Sequence, residues 1–344
     1  MMKRYGRIAL CLFALMAMMS MTTSASALAN NNSGYKLLIY YGIPESVNNA
    51  STPEEAAQIF AKYDCLVLGD KLELPEHAQH ESTLQIIARI KQINPKIQIF
   101  GYVDLGVTDS TDNLSMDTIK QRITLWKAAG VYGIFLDDAG YDYGVSRERL
   151  NEAVTAVHDG SMAAFVNAWH PEDVMSSAKQ AQFNPDGLKS KMNASDLYLM
   201  ESFLLPANLN GSRIFSAYRD YFEDKMEKSM MYRRVLGVRM LSVSTIDYQA
   251  STDGVLNQFF KMNEAAAGVF SLDGYGVSPV HYSSSKPNSD VVRTFPYMSN
   301  YMDFYTLKPQ YESFRGGQDF SREGFRLLSI KGLNKYAFPD GAVY

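Results

Sequence analysis

Cysteine is almost missing from this chain: its 344 residues contain two, Cys11 and Cys65. Cys11 lies in an N-terminal apolar stretch that reads as a removable leader. A mature disulfide is therefore excluded, and stability has to come from a large core. Histidine is scarce as well, at five residues, and neither H-x-x-x-H nor C-x-x-C spacing occurs. His77 and His80 on one loop come nearest to a ligand pair, so the sequence points to no metal and implies no cofactor. No G-x-S-x-G elbow is present, and no G-x-G-x-x-G follows the first strand-like run, which argues against a hydrolase elbow and a dinucleotide fold. Excess positive charge is lacking too. The formal charge is −4, and −7 once Lys3, Arg4 and Arg7 are set aside. A nucleic-acid partner, which wants a basic stripe, is disfavoured.

The N-terminus has its own grammar. Lys3, Arg4 and Arg7 precede an apolar run from Ile8 to Met19, and Ala25-Ser26-Ala27-Leu28-Ala29 supplies small-residue cleavage sites. That order is a secretory signal peptide over residues 1–29. The run is shorter than the ~20 residues that span a bilayer, and none elsewhere approaches that length, so a secreted protein with no membrane partner is expected.

Residues 30–344 contain eight short apolar or aromatic runs separated by helix-like segments. The first four are Lys36–Gly42, Cys65–Asp70, Ile97–Asp104 and Gly133–Asp138. Met162–Asn167, Asp196–Ser202, Arg234–Leu241 and Ala267–Asp273 complete the set. Thr52 opens T-P-E-E, a helix start with proline in the first turn and acids against the dipole. Ser82–Gln92 and Met116–Ala129 carry apolar residues at helical spacing. Strands alternating with helices predict a parallel sheet wrapped by helices, and eight units predict a (β/α)8 TIM barrel. No repeat or long linker divides it, so a single domain is expected, with residues 279–344 as a C-terminal extension. Within that extension Thr294–Tyr305 reads as a helix, and Phe325–Ile330 and Tyr336–Phe338 as short strands.

Barrel chemistry sits where the strands end at the C-terminal face. The expected strand ends offer Tyr40 and Tyr41, Asp70, Tyr102 and Asp104, Asp137 and Asp138, Asn167, Glu201, Arg239 and Asp273. A lone buried carboxylate costs several kcal/mol unless paired, so carboxylates at core-like positions point to function. One carboxyl group held protonated and another ionised is what glycoside hydrolysis requires. Asp137 is read as the acid, Asp138 as its support and Glu201 as the opposing carboxylate. Helix capping or metal binding is the alternative for the aspartate pair. Asp70, Asp104 and Asp273 either bind substrate hydroxyls or amines or cap helices, and Arg239 is expected to pair with one of them. Tyr40, Tyr41, Tyr102, Tyr141, Tyr143 and Trp169 offer aromatic faces for sugar rings, or simply pack. Asn167 and Trp169 read as binding residues.

The order G-Y-V-D-L-G (Gly101–Gly106), an amphipathic helix with a tryptophan, G-V-Y-G-I-F-L-D-D (Gly130–Asp138), F-V-N (Phe165–Asn167) and M-E-S-F (Met200–Phe203) resembles the spherulin-4-like and endo-α-1,4-polygalactosaminidase superfamily. The resemblance spans Tyr35 to about Ser278. It implies a (β/α)8 glycoside hydrolase cleaving a galactosamine- or N-acetylgalactosamine-containing polysaccharide. It also implies Asp137, Asp138 and Glu201 as catalytic groups and retaining chemistry with Glu201 as nucleophile. Asp138 stands where that family usually has Glu. The competing expectations are a non-catalytic carbohydrate-binding or surface-coat barrel and a polysaccharide deacetylase, which would need a metal cluster.

Overall fold

The computed structural model describes residues 35–69, 71–207, 215–217, 222–270, 272–280, 290–294, 320–322, 325–330 and 333–337. The leader, Asp70 and the expected helix beyond Thr294 lie outside them. Strand–helix units follow one another from the start. β1 is Tyr35–Tyr40, α1 Pro53–Phe60, β2 Cys65–Leu68, α2 His80–Ile93, β3 Gln98–Asp104 and α3 Met116–Ala128. β4 (Gly133–Asp137), α4 (Arg147–Asp159), β5 (Ala163–Asn167), α5 (Pro171–Met175) and β6 (Leu197–Met200) continue the series. β7 (Leu205–Ala207) and β8 (Phe215–Ala217) interrupt it before α6 (Phe222–Leu236), β9 (Arg239–Ile246), α7 (Asp253–Val269) and β10 (Gly274–Pro279).

The parallel strands close in the order β1-β10-β9-β6-β5-β4-β3-β2, with β1 pairing both β2 and β10. This is the (β/α)8 barrel. Helix starts follow the local chemistry. Thr52 Oγ1 accepts from Glu55 N, Ser115 Oγ from Thr118 N and Ser146 Oγ from Arg149 N, each satisfying a first-turn amide.

Strand alternation sorts the core into two layers. Leu37, Ile39, Cys65, Val67, Phe100, Phe135, Phe165, Leu199, Leu241 and Val243 fill the barrel interior. Leu38, Leu66, Leu136, Val166, Met240 and their neighbours meet the helices outside. β3 lies tight against α3: a Cβ on Gly101 would stand 2.1 Å from the Trp126 ring. The fully buried indole donates from Nε1 to Tyr102 O at 3.0 Å. The first six strands fall close to expectation.

The last two do not. The expected run Arg234–Leu241 is instead the end of α6 and the first part of β9. Gly237, at φ +75°, takes the left-handed turn between them and donates N–H to Arg233 O. The expected run Ala267–Asp273 is the end of α7 and its exit, and the strand begins at Gly274. Physically, β9 reverses the usual code. Ser242 and Ser244 lie fully buried beneath the helices, and Ser244 is held by Asn263 of α7 and by Leu204 N.

Of the C-terminal segment, β11 (Phe320–Arg322), β12 (Phe325–Ile330) and β13 (Leu333–Ala337) are described. With β8 and β7 they form an antiparallel sheet in the order β11-β12-β13-β8-β7, outside the barrel ring. The insertion after β6 and the C-terminal strands thus build one element together.

Candidate active site

The alternation that packs the interior also arms its rim. Phe100 and Tyr102 on β3, Phe135 and Asp137 on β4, Phe165 and Asn167 on β5, and Leu199 with Glu201 just beyond β6 share the inward face. At the top of each strand the apolar residue gives way to a polar one. Asn167 Nδ2 donates to Asp137 Oδ1 at 2.8 Å and to Glu201 Oε2 at 3.0 Å. One amide therefore holds two carboxylates within about 6 Å of each other. The orientation of the amide is chemically forced, since its oxygen in that place would face two acceptors.

Asp138 follows at the wrong parity for an inward residue. It adopts φ +51°, a left-handed turn that Asp tolerates better than most side chains. The turn brings its carboxyl within electrostatic reach of Asp104 and Glu201 and into a hydrogen bond with Tyr143. Ser202, directly after Glu201, is also left-handed at φ +51°. Backbone strain thus flanks both carboxylate-bearing strand ends.

The electrostatics follow from burial and like charge. Burial, then the charges of Asp138 and Glu201, push Asp137 up to about 8 against the opposing Asn167 hydrogen bond. Burial, then Asp104 and Glu201, push Asp138 up to about 7 against the Tyr143 hydrogen bond. Such neighbours titrate as one system, so the rim keeps at least one proton near neutral pH. Tyr102 hydrogen-bonds Asp137, and burial raises its phenol well above the ordinary range.

Asp104 is almost fully buried and spends its oxygens locally, accepting from Gly106 N at 2.7 Å and from Asp112 N. It fastens the loop after β3 and contributes its charge to Asp138. Tyr41 sets its ring edge-on to Tyr102 at 5.3 Å. Trp169, two residues past β5, lies beneath the Lys225 ammonium at 4.6 Å.

Three expected site residues are not brought to this rim. Tyr40 faces the outer layer, where it packs on Phe60 and donates to Ile43 O at 2.8 Å. Arg239 opens β9 at the opposite, N-terminal face, bonding Tyr35 Oη at 2.7 Å and Ser195 O at 2.9 Å. Asp273 precedes β10 at that same face and pairs with Arg233 at 2.8 Å. The strand shifts explain both displacements: residues expected at strand ends stand at strand beginnings. Asp70 lies outside the described residues. Among the described residues, no group of three or more His, Cys, Asp and Glu is arranged to hold a metal.

The first turn of α4 holds what the sequence reading missed. Arg149 donates from Nε to Leu105 O at 2.8 Å and from Nη2 to Leu114 O at 2.6 Å, pinning the loop after β3. Arg147, fully buried, donates to Val174 O and Asp173 O and so pins the segment after β5. Two arginines in a helical first turn oppose the macrodipole, and that mismatch is the signal that could have singled them out.

No family model matches the chain, and no curated protein matches it. Solved barrels do. The N-acetylneuraminate lyase of Mycoplasma synoviae is 12% identical over 72% of this chain and 69% of that one, with TM-score 0.37. The HpcH/HpaI aldolase of Desulfitobacterium hafniense is 10% identical over 72% and 87%, with TM-score 0.39. The carboxyl transferase domain of Rhizobium etli pyruvate carboxylase with 3-bromopyruvate is 10% identical over 86% and 50%, with TM-score 0.43. At such identity the likeness concerns the fold alone.

The family expectation is corrected by the absence of any matching family model. No spherulin-4-like or polygalactosaminidase model matches, and the solved barrels just named carry lyase, aldolase and carboxyl transferase descriptions. The assignment as a glycoside hydrolase of aminosugar polysaccharides, and its carbohydrate-binding alternative, are withdrawn. The motifs behind them are short runs at strand ends, where barrels of many chemistries place polar residues.

Proposed function

We propose that the rim formed by Asp137, Asp138, Asn167 and Glu201 is a proton-transfer active site acting on a neutral or cationic substrate that carries hydroxyl or amine groups. The observation that carries this reading is the Asn167 amide bridging Asp137 and Glu201. In this reading Asp137 is the acid, holding its proton at neutral pH because burial and like charge raise it. Glu201 is the base. It removes a proton from an O–H, or from a C–H beside a carbonyl, while Asp137 delivers one to the oxygen that takes up the electron pair. Asp138 and Tyr143 set how tightly that proton is held, and Tyr102 and Tyr41 form the wall beside it. The concentration of carboxylates disfavours an anionic substrate. The leader sequence supports an exported protein, so the substrate would be met outside the cytoplasm.

The test is turnover in D2O across a panel of hydroxy- and amino-carbonyl compounds. Wild-type protein should give product carrying solvent deuterium. Asp137→Asn and Glu201→Gln should each slow it by about 10²–10⁴. The rate should fall as pH rises through about 8, where Asp137 loses its proton. Product formed at unchanged rate by both variants would overturn the reading.

A further inference from the structure

The opposite, N-terminal face of the barrel carries a cavity. It is an open cleft of about 660 Å³, a size typical of small-molecule sites. Its wall comes from the turns that lead into β3, β4, β5 and β6. Lys91, Lys127, Tyr132, His158, Ser161 and Ser195 supply its polar groups, and no Asp or Glu lines it. The charged side chains that line the cleft are thus both basic.

The neighbouring charges act in both directions. Lys91 Nζ is anchored on Gly130 O at 2.9 Å, which holds the ammonium at the cleft wall. His158 Nε2 meets Asp196 at 2.9 Å, but that aspartate is fully buried and also accepts from Ala164 N and Asn193 N at 2.8 Å. Its negative charge therefore lies behind the wall, directed at the His158 ring and the backbone amides. Arg239 stands beneath the floor, donating to Ser195 O at 2.9 Å and hydrogen-bonded to Tyr132, and adds a further positive charge. The C-terminal ends of α2, α3 and α4 converge on this face and oppose an anion, so the cations must outweigh them.

We propose that this basal cleft binds a small oxyanion, carboxylate or phosphate, between Lys91 and Lys127. Tyr132, 42% exposed, and the Ser161 and Ser195 hydroxyls complete the set of donors. The proposal does not depend on the reading of the C-terminal rim.

Titrating the 15N-labelled full chain separately with citrate and with pyrophosphate, followed by amide chemical shifts, tests it. Saturable shifts confined to Gly130, Tyr132, Ser161 and Ser195 are expected. Stronger saturation by one of the two anions identifies which oxyanion the cleft prefers. The double variant Lys91→Met, Lys127→Met, whose two sites are exposed and whose fold is checked by circular dichroism, should bind at least about tenfold more weakly. Absent or unsaturable shifts with both anions, or equal affinity in the double variant, would overturn the proposal.

Discussion

Asn167 sits at the centre of the rim, and its chemistry fixes what its loss should do. Its amide stabilises the ionised form of Asp137 and orients Glu201. Asn167→Ala removes one hydrogen bond from each carboxylate, so Asp137 should hold its proton to higher pH than in the wild type. The basic limb of a pH–rate profile, or a direct proton titration, should move upward, and the rate at neutral pH should fall by about 10–100-fold. An unmoved limb would mean that the amide does not govern Asp137. Much at this scale was legible in sequence. Asp137, Asn167 and Glu201 were singled out as polar residues closing apolar runs, and the structure brings their side chains together. Asp138 was expected as the support of Asp137, and the left-handed backbone that turns it toward the rim was not legible in sequence. Arg239 and Asp273 were misplaced because both belong to the beginnings of strands, where their partners Tyr35 and Arg233 keep them.

At the scale of elements, β3 and α3 illustrate how closely the barrel wall is packed behind the site. Gly101 leaves room for the Trp126 ring, and the indole in turn binds the carbonyl of Tyr102. Gly101→Ala should lower stability by about 1–3 kcal/mol through overpacking, read as a drop in the denaturant midpoint at unchanged slope. The two halves of the chain differed in legibility for a physical reason. β1–β6 follow the rule that buried strands are apolar on both faces. β9 instead buries serines under the helices, with Asn263 satisfying Ser244, and so gives no apolar run to find. The helix α7 ends in small and apolar residues that imitate a strand. Pairing of the C-terminal strands with β7 and β8 rests on contacts far apart in sequence, which local periodicity does not carry.

For the whole molecule, the raised carboxyl groups have a consequence for stability. An unfolded aspartate ionises near ~3.9, whereas Asp137 in the fold keeps its proton to about 8. Between those values the native state binds more protons than the unfolded chain, so stability falls as pH rises through that window. The stability present in acid is lost once Asp137 is forced to ionise inside the barrel. Asp137→Asn, which cannot ionise, should therefore be more stable than the wild type at pH 8 by roughly 1–3 kcal/mol after allowance for partial exposure. Near pH 4 the difference should vanish. Thermal unfolding at the two pH values reads this directly, and equal melting temperatures at pH 8 would show that the carboxyl is not held against its preference.

The measurement closest to the central claim is a site-assigned 13C carboxyl titration of the wild-type rim, repeated in Asp137→Asn and Asp138→Asn. Two groups should titrate at about 8 and about 7, and removing Asp138 should lower the value of Asp137. Both carboxyl groups titrating near the ordinary ~4, with Asp137 indifferent to the loss of Asp138, would contradict the account.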